Sequence, residues 1–62
     1  MLNQLYRNIK TGGLYRIIFS DVPDATNSRE SETLVIYQSL VDHRIWARET
    51  TEFLAKFTPY QT

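Results

Sequence analysis

The sequence predicts a small all-β domain, and three observations lead to this prediction. Short stretches of alternating apolar and polar residues, rich in β-branched and aromatic side chains, recur along the chain. Clusters of Gly, Pro, Asp, Asn and Ser separate these stretches, and such residues build turns. The chain has 62 residues, which is enough for one domain with a modest core. We therefore expect a single domain of about five short strands.

The first two predicted strands flank a glycine turn. Residues 5–9 alternate apolar and polar side chains and are followed by the letters TGG, which indicate a tight turn. Residues 14–20 are rich in β-branched and aromatic residues, which favours a second strand. Because successive side chains point to opposite faces of a strand, Tyr15, Ile17 and Phe19 are predicted to share one face.

The middle of the chain predicts a long exposed loop followed by a central strand. Residues 21–32 gather Pro, Asp, Asn and Ser, whose side chains favour turns over regular structure. Residues 33–40 begin with apolar residues at both alternating positions. This pattern predicts a strand that is covered on both of its faces.

A hairpin is predicted where the letters VDHR separate the central strand from RIWARE. The alternation of RIWARE indicates a fourth strand, on which Ile45 and Ala47 are expected to face the core. Trp46 then projects outward, between Arg44 and Arg48. This orientation makes the tryptophan a candidate for contact with a partner.

The residues after this strand predict a short helical turn and a last edge strand. The alternation breaks at Thr50, which is expected to cap the helical turn through its hydroxyl. Phe53 and Leu54 are expected to face the core. Residues 55–60 predict the last strand, and it is placed at an edge because Pro59 has no N–H donor.

Five short strands, with one short helical turn before the last, predict an SH3-like barrel. The barrel is expected to be a single domain over residues 1–62, with residues 21–32 as its long exposed loop. A chain of this length buries only about 60% of the surface that its unfolded form exposes, so modest stability is expected.

The composition argues against several classes of function. The chain has no Cys and a single His, too few for a zinc site with three or four protein ligands. That histidine, His43, lies in the predicted VDHR turn, where solvation is expected rather than pairing with a nucleophile. No GxxxxGK phosphate loop occurs. We therefore expect a protein that is not an enzyme and that has no catalytic residues, metal or cofactor.

Charge and hydropathy constrain the partners and the location. The formal net charge is zero, whereas a duplex-binding protein normally carries a basic excess that neutralises phosphates. Nucleic acid is therefore not the expected partner. No apolar run is long enough to span a bilayer, so no membrane contact is expected either. The absence of Cys favours the cytoplasm, because small secreted domains usually carry disulfides.

Three pieces of the sequence, YRNIKTGGLYRII, SETLVIYQSL and IWARETTEFL, carry a resemblance that extends from about Tyr6 to Phe57. They resemble the bacterial and phage family catalogued as domain of unknown function 1653. Its members share a Tyr-Arg start, a Gly-Leu-Tyr, a Val-Tyr-Gln and a Trp-x-Arg followed by a Phe. Asn8 and Asn27 stand where that family usually has His, and Glu49 where it has Pro. The resemblance supports the fold and implies no activity, because none is known for the family.

The candidate binding surface centres on Trp46. A tryptophan flanked by guanidinium groups can stack a planar or anionic partner, and Tyr37, with Tyr6 or Tyr15 across the sheet, would extend that surface. The candidate binding residues are aromatic or cationic: Tyr37, Trp46, Arg48, Arg44, Arg7, Lys10 and Tyr15. The alternative is structural. Trp46 would then close one end of the core, with Arg48 over its ring and paired with Glu49 or Glu52.

Two classes of function remain open. The sequence favours a protein interaction module that binds a protein partner or a second copy as a homodimer, because so short a chain has little room for a cavity. In a phage, in the host cytoplasm, this would suit an inhibitor of a host enzyme or defence system. The alternative is a binder of a small planar anionic ligand such as a nucleotide, held between the aromatic and cationic residues. A flat apolar patch would favour the module, and a concave pocket with converging Arg side chains would favour the ligand.

Overall fold

A computed structural model describes residues 3–24 and 32–60 of the chain. These residues form five antiparallel strands in one sheet and one short helix. In chain order the elements are β1 (Leu5–Asn8), β2 (Leu14–Pro23), β3 (Thr33–Ser39), β4 (Ile45–Glu49), α1 (Thr50–Lys56) and β5 (Phe57–Pro59). The predicted all-β class and the number of strands are confirmed. No helix within the described ranges is long and apolar enough to cross a membrane.

The five strands lie in the order β4-β3-β2-β1-β5. In the part of the chain that is described, β4 pairs only with β3 and β5 only with β1. The sheet is therefore open, and the closed barrel expected from the sequence is not confirmed. α1 connects the two edge strands and contacts β3, β4 and β5, so a helix lies between the edges that a closed barrel would pair. Pro59 lies on an edge strand, as predicted.

The core lies on one face of the sheet, which we call the inner face because α1 packs on it. Its buried side chains are large and mostly aromatic: Tyr6, Ile17, Val35, Tyr37, Phe53 and Phe57. The rings of Phe53 and Phe57 stack with their centroids 4.3 Å apart. Phe53 of α1 therefore packs its ring against Tyr6, Tyr37 and Phe57 of the sheet.

β2 is longer than predicted and carries an irregularity that reverses the orientation of one side chain. Ile17 lies opposite Tyr37, but Phe19 lies opposite Ile36, so β2 contains one extra residue between these two pairs. Such a bulge moves the side chains that follow it to the other face, until a second register shift, between Phe19 and Val22, reverses the change. Phe19 therefore points away from the core and is 59% exposed. The prediction that Phe19 shares a face with Tyr15 and Ile17 is wrong for this reason.

The long loop starts later than predicted. Residues 21–23 belong to β2 rather than to the loop, and the Asp24 N–H donates a hydrogen bond to the Glu32 carbonyl oxygen at 3.1 Å. The rest of the predicted loop, residues 25–31, lies outside the described residues.

The orientation of β4 is the reverse of the predicted one. Trp46 lies opposite Tyr37 in the β3–β4 pair, and opposite residues of an antiparallel pair share a face. Because Tyr37 is a core residue, Trp46 and Arg48 lie on the inner face. Ile45 and Ala47 lie on the outer face and are exposed, whereas the sequence analysis placed them in the core.

α1 has seven residues and is longer than the predicted single turn. Glu49 is its N-cap and makes no side-chain capping bond, so the prediction that Thr50 caps the helix is wrong. The Thr50 hydroxyl instead lies 2.8 Å from the hydroxyl oxygen of Thr33 and donates to the Thr33 carbonyl at 3.1 Å. Phe53 is buried as predicted, but Leu54 is exposed, because α1 presents only one face to the sheet.

The outer face of the sheet carries apolar side chains that no described element covers. Phe19, Ile36 and Ala47 lie side by side across three strands, and Ile45 lies next to them. These four residues form what we call the outer apolar patch. β3 is therefore central in the sheet but covered on its inner face only, which corrects the prediction that both of its faces are buried.

Candidate functional site

A recess of about 150 Å³ opens on the inner face, near the hairpin of β3 and β4. We call it the aromatic slot because four of its six lining residues are aromatic: Tyr15, Tyr37, Trp46 and Phe57, with Asn8 and Arg48. The slot is a direct result of the reversed orientation of β4. That orientation places Trp46 and Arg48 beside the core aromatic residues instead of on the opposite face.

The buried side of the slot is a packed group of three rings. Tyr15 contacts Tyr37 and Phe57 edge to face, with centroids 5.4 Å and 5.3 Å apart. Tyr37 and Phe57 contact each other at 5.2 Å and are nearly inaccessible to solvent. Edge-to-face contacts of this kind stabilise a defined arrangement of rings, so the slot has an aromatic surface that exists before any ligand binds.

Trp46 lies at the exposed side of the slot. It is 46% exposed, and none of the aromatic ring contacts among the described residues includes it. The sequence predicted two alternative positions for this residue, exposed on the outside of the barrel or buried at one end of the core. Its actual position combines parts of both, since Trp46 lies on the core side of an edge strand with much of its indole accessible.

Arg48 is held in the slot by two side chains. Its Nε donates to the Tyr37 hydroxyl oxygen at 3.3 Å, and its Nη1 donates to Glu52 Oε1 at 2.9 Å. The hydrogen bond to Tyr37, together with the nearby Glu52 carboxylate, raises the pKa of Arg48 above its ordinary value. The ion pair with Glu52 is the one expected in the structural alternative for Trp46. Nη2 makes no hydrogen bond within the described residues, so it is available to a ligand.

A second recess adjoins the slot and combines cationic with apolar lining. It has a volume of about 370 Å³ and is lined by Lys10, Arg48 and Lys56, by the polar Asn8 and Thr11, and by the apolar Ile9 and Ala55. Asn8 and Arg48 line both this recess and the aromatic slot, so the two spaces are neighbours. We call the second space the cationic recess, and the two together the inner groove.

The β1–β2 turn holds Asn8 in one orientation. The Asn8 side-chain oxygen accepts hydrogen bonds from the backbone N–H groups of Lys10 at 2.9 Å and Thr11 at 3.0 Å. The Gly12 N–H donates to the Asn8 carbonyl at 2.8 Å, and Gly12 has a φ of +78°, which glycine adopts without strain. Because the side-chain oxygen is committed to the turn, the Asn8 Nδ2 amide is the group left with unused donors.

α1 brings further charge to the cationic recess. Glu52 Oε1 lies 2.9 Å from Arg48 Nη1 and 3.7 Å from Lys56 Nζ, so one carboxylate bridges two cations. The Ile9 N–H donates to the Lys56 carbonyl at 3.0 Å, which ties the β1–β2 turn to the end of α1. Lys10 and Lys56 are 46 positions apart in the sequence, and this contact brings them to the same recess.

Of the predicted binding residues, the inner groove contains five and excludes two. Tyr15, Tyr37, Trp46 and Arg48 line the aromatic slot, and Lys10 lines the cationic recess. A ligand bound in the groove would therefore contact these five side chains.

Arg44 and Arg7 lie elsewhere, which corrects their prediction as members of one surface. Arg44 is exposed in the hairpin, where its Nε lies 3.9 Å from Asp42 Oδ2. Arg7 follows the buried Tyr6 in β1, so strand alternation places Arg7 on the outer face. Tyr6 contacts Phe53 in the core at 5.1 Å and does not extend the slot.

Six residues that line the groove were not predicted from the sequence: Asn8, Ile9, Thr11, Ala55, Lys56 and Phe57. Asn8 had a recognisable signal, since an Asn two residues before a Lys-Thr-Gly-Gly turn often bonds to the turn backbone. Lys56 lies four residues after Glu52, a spacing that pairs side chains on a helix, but the sequence placed Lys56 in the last strand and this signal was lost. Phe57 had no local signal, because its place in the slot depends on how the last strand returns to β1.

Other parts of the surface offer less chemistry. A recess of about 490 Å³, larger than the slot or the cationic recess, is lined by Glu32, Thr33, Glu49, Thr50 and Thr51, and these five residues include neither a cation nor an aromatic ring. Within residues 3–24 and 32–60, no cluster of three or more His, Cys, Asp or Glu residues is placed to hold a metal ion. His43 is exposed in the hairpin turn with a φ of +63°.

The fold and the groove define a small β protein in which one open sheet carries a recess with aromatic and cationic lining. The chain belongs to the family described as "Protein of unknown function (DUF1653)", whose model matches residues 4–60. This match confirms the family resemblance drawn from the sequence. A search of curated proteins and a search of solved structures each found no match.

Proposed function

We propose that this protein is a non-enzymatic binding protein that holds a small planar anionic ligand in the inner groove. One observation carries the proposal. Trp46 and Arg48 line the same concave slot, the first with an accessible ring and the second with a guanidinium already held in place. The feature expected of a ligand binder is a concave pocket with converging Arg side chains; the groove is concave but contains one Arg, Arg48, and its other cations are Lys10 and Lys56.

The lining of the slot favours a planar ligand. Trp46 and Tyr15, the two slot rings that are not buried, offer ring surface, and base-like rings stack on such surfaces with little dependence on their identity. The slot alone, about 150 Å³, is smaller than the roughly 300–1,000 Å³ of ordinary small-molecule sites. The cationic recess, about 370 Å³, lies within that range by itself, so the groove has room for a ligand of ordinary size that extends from the recess into the slot.

The state of Arg48 favours an anionic ligand. Binding usually costs the side-chain entropy of each long residue that becomes ordered. Here the hydrogen bonds to Tyr37 and Glu52 have already ordered the guanidinium. Arg48 can therefore pair with an anion through its remaining N–H groups at a lower entropic cost than a free surface arginine.

The absence of enzymatic activity is part of the proposal and rests on the groove chemistry. A general acid or base near neutral pH is most often a histidine placed within hydrogen-bond reach of the reacting group. The only His, His43, is exposed in the hairpin turn and is not among the residues that line the inner groove. The groove side chains are suited to binding and orientation.

A second candidate function is docking of a protein partner, or of a second copy, on the outer apolar patch. Phe19 and Ile45 are 59% and 63% exposed, and they lie on a continuous sheet face with Ile36 and Ala47. Contiguous exposed apolar residues often mark interaction surfaces. This is the interaction module favoured by the sequence, transferred from the Trp46 side of the sheet to the opposite one.

We also propose that the open sheet is an SH3-like arrangement. The antiparallel order, the helix between the last two strands and the irregular pairing in β2 support this finer description. Bulges increase local twist and bend a strand, and a bent β2 would curve the two halves of the sheet toward each other around the inner face.

The test of ligand binding uses Trp46, the only tryptophan of the chain, as a fluorescent reporter. The protein is titrated with the four ribonucleosides and their 5′-monophosphates, and binding is checked by calorimetry. We expect quenching of Trp46 with saturation, and weaker binding in Arg48→Gln. Arg44→Gln is the matched control, because it removes an exposed arginine outside the groove. No quenching and no heat with any of the eight compounds would reject the proposal.

A further inference from the structure

We infer that the ligand of the inner groove is a nucleoside monophosphate, with its base in the aromatic slot and its phosphate in the cationic recess. This inference rests on the proposed function and makes it more specific. It assigns the two halves of the groove to two chemically different parts of one molecule. It also gives Lys10 and Lys56, on the β1–β2 turn and at the end of α1, a direct role in binding.

The two halves of the groove are adjacent and chemically distinct. The slot contributes Tyr15, Tyr37, Trp46 and Phe57, and the recess contributes Lys10, Thr11 and Lys56. Asn8 and Arg48 belong to both. A ligand with a planar ring at one end and an anion at the other matches this division. A purely aromatic compound has no anionic group for the cations of the recess to bind.

The net charge of the recess favours a phosphate monoester. Arg48, Lys10 and Lys56 contribute three positive charges, and the bridging carboxylate of Glu52 contributes one negative charge. The remaining charge is two positive units. A phosphate monoester carries about −1.5 to −2 at pH 7, so it neutralises the recess almost completely. A carboxylate would neutralise about half of that charge, and a triphosphate would exceed it.

The β1–β2 turn leaves side-chain hydrogen-bond donors free to bind an anion. The backbone N–H groups of Lys10 and Thr11 are taken by Asn8, so an anion must be bound by side chains. The Thr11 hydroxyl oxygen accepts from the Gly13 N–H at 3.2 Å, which leaves its own hydrogen to donate. The Lys10 ammonium and the Thr11 hydroxyl therefore supply donors from one turn, and Lys56 supplies more from α1.

Asn8 and Arg48, at the boundary between the two halves, have hydrogen-bond donors that suit the middle part of a nucleotide. Asn8 is oriented by its two hydrogen bonds to the turn, and its Nδ2 amide has no partner among the described residues. Arg48 has unused N–H groups at the same boundary. A nucleoside has hydroxyl and ring acceptors between its base and its phosphate, and these would accept from Asn8 and Arg48. A ring compound without such acceptors would leave those donors unpaired.

The experiment compares AMP with adenosine by Trp46 quenching and calorimetry, on the full chain and on two charge-matched double variants. One is Lys10→Gln with Lys56→Gln, in the recess. The other is Arg7→Gln with Arg16→Gln, which removes the same charge from exposed positions on the outer face. We expect AMP to bind the unmodified chain about tenfold more tightly than adenosine, as charge-assisted hydrogen bonds to phosphate require.

In the recess variant the Kd of AMP should rise about tenfold while the Kd of adenosine stays unchanged. In the outer-face variant both should remain as in the unmodified chain. Inorganic phosphate should weaken the binding of AMP to the unmodified chain and leave adenosine binding unaffected. This competition tests the inference even if the recess variant does not fold, and circular dichroism checks folding.

The outcomes separate the two proposals. Equal affinity for AMP and adenosine would overturn the phosphate assignment and leave the proposed function standing. An equal loss of AMP binding in both double variants would also overturn it, because the attraction would then be a property of the net charge. If no member of the four nucleoside and monophosphate pairs binds, the inference and the proposed function fail together.

Discussion

The Nε of Arg48 donates a hydrogen bond to the hydroxyl oxygen of Tyr37 at 3.3 Å, and this contact joins the groove to the core. Tyr37 is only 3% exposed, and its ring packs against Tyr15, Phe53 and Phe57. Arg48 lies diagonally across the β3–β4 pair from it. The position of the cation therefore depends on a residue that the folded core holds in place.

Tyr37→Phe should weaken ligand binding more than it affects the fold. The change removes the hydroxyl that orients Arg48, and the lost hydrogen bond should cost about 0.5–1.5 kcal/mol of unfolding free energy. Urea denaturation measures this cost, and fluorescence titration measures the loss of affinity. Tyr6→Phe is the control, since Tyr6 lies outside the slot and no hydrogen bond within the described residues uses its hydroxyl. Equal effects of the two changes would show that Arg48 is oriented without Tyr37.

Ile17→Ala and Phe19→Ala should differ strongly in stability although the two residues are two positions apart. Ile17 is fully buried, so its truncation should cost about 2–5 kcal/mol. Phe19 points to the outer face, so its truncation should change the unfolding free energy by roughly 0.5 kcal/mol or less. Thermal and urea unfolding of both variants test this expectation. A large cost for Phe19→Ala would contradict the bulge between them.

Trp46→Ala should leave the fold mostly intact and abolish ligand binding measured by calorimetry. The side chain is half exposed, and its ring stacks on no described aromatic residue. Phe53→Ala is the contrasting change, since Phe53 is fully buried between the sheet and α1 and should cost about 3–5 kcal/mol. Circular dichroism distinguishes the two outcomes. Unfolding of Trp46→Ala would identify Trp46 as a core residue instead of a groove residue.

The β3–β4 hairpin should lose some stability in acid through Asp42. The Arg44 backbone N–H donates to Asp42 Oδ1 at 3.0 Å, and this bond lowers the pKa of the Asp42 carboxyl below its ordinary value. A lowered folded-state pKa contributes stability above the unfolded-state pKa near 3.9 and loses it as the pH falls through the folded-state value.

Asp42→Asn keeps an acceptor and removes the charge, so it isolates this effect. The unmodified chain should be slightly more stable than the variant at pH 6, and the difference should decrease as the pH falls through the lowered pKa of Asp42. Thermal unfolding at both pH values measures the difference, and carboxyl NMR titration gives the pKa directly. A stability difference that persists or grows in acid would be inconsistent with the lowered pKa.

The sequence alone determined where most elements lie and which residue types could bind. The strands, the glycine turn, the β3–β4 hairpin and a helix before the last strand follow from local patterns, because turn residues and strand propensity act over a few neighbouring positions. The same reasoning selected Tyr37, Trp46 and Arg48 by their chemistry, before their arrangement was known.

Only the tertiary structure decided which face each side chain occupies and which distant residues meet. Side chains alternate between the two faces of a strand, so the sequence of β4 allows either face to be the inner one. The pairing of Trp46 with Tyr37 places Trp46 on the inner face. One extra residue in β2 moves Phe19 outward in the same way. Asn8 and Lys56 meet at one recess because the last strand returns to β1. These outcomes depend on register and strand pairing, which arise from contacts between segments and leave no pattern within any single segment.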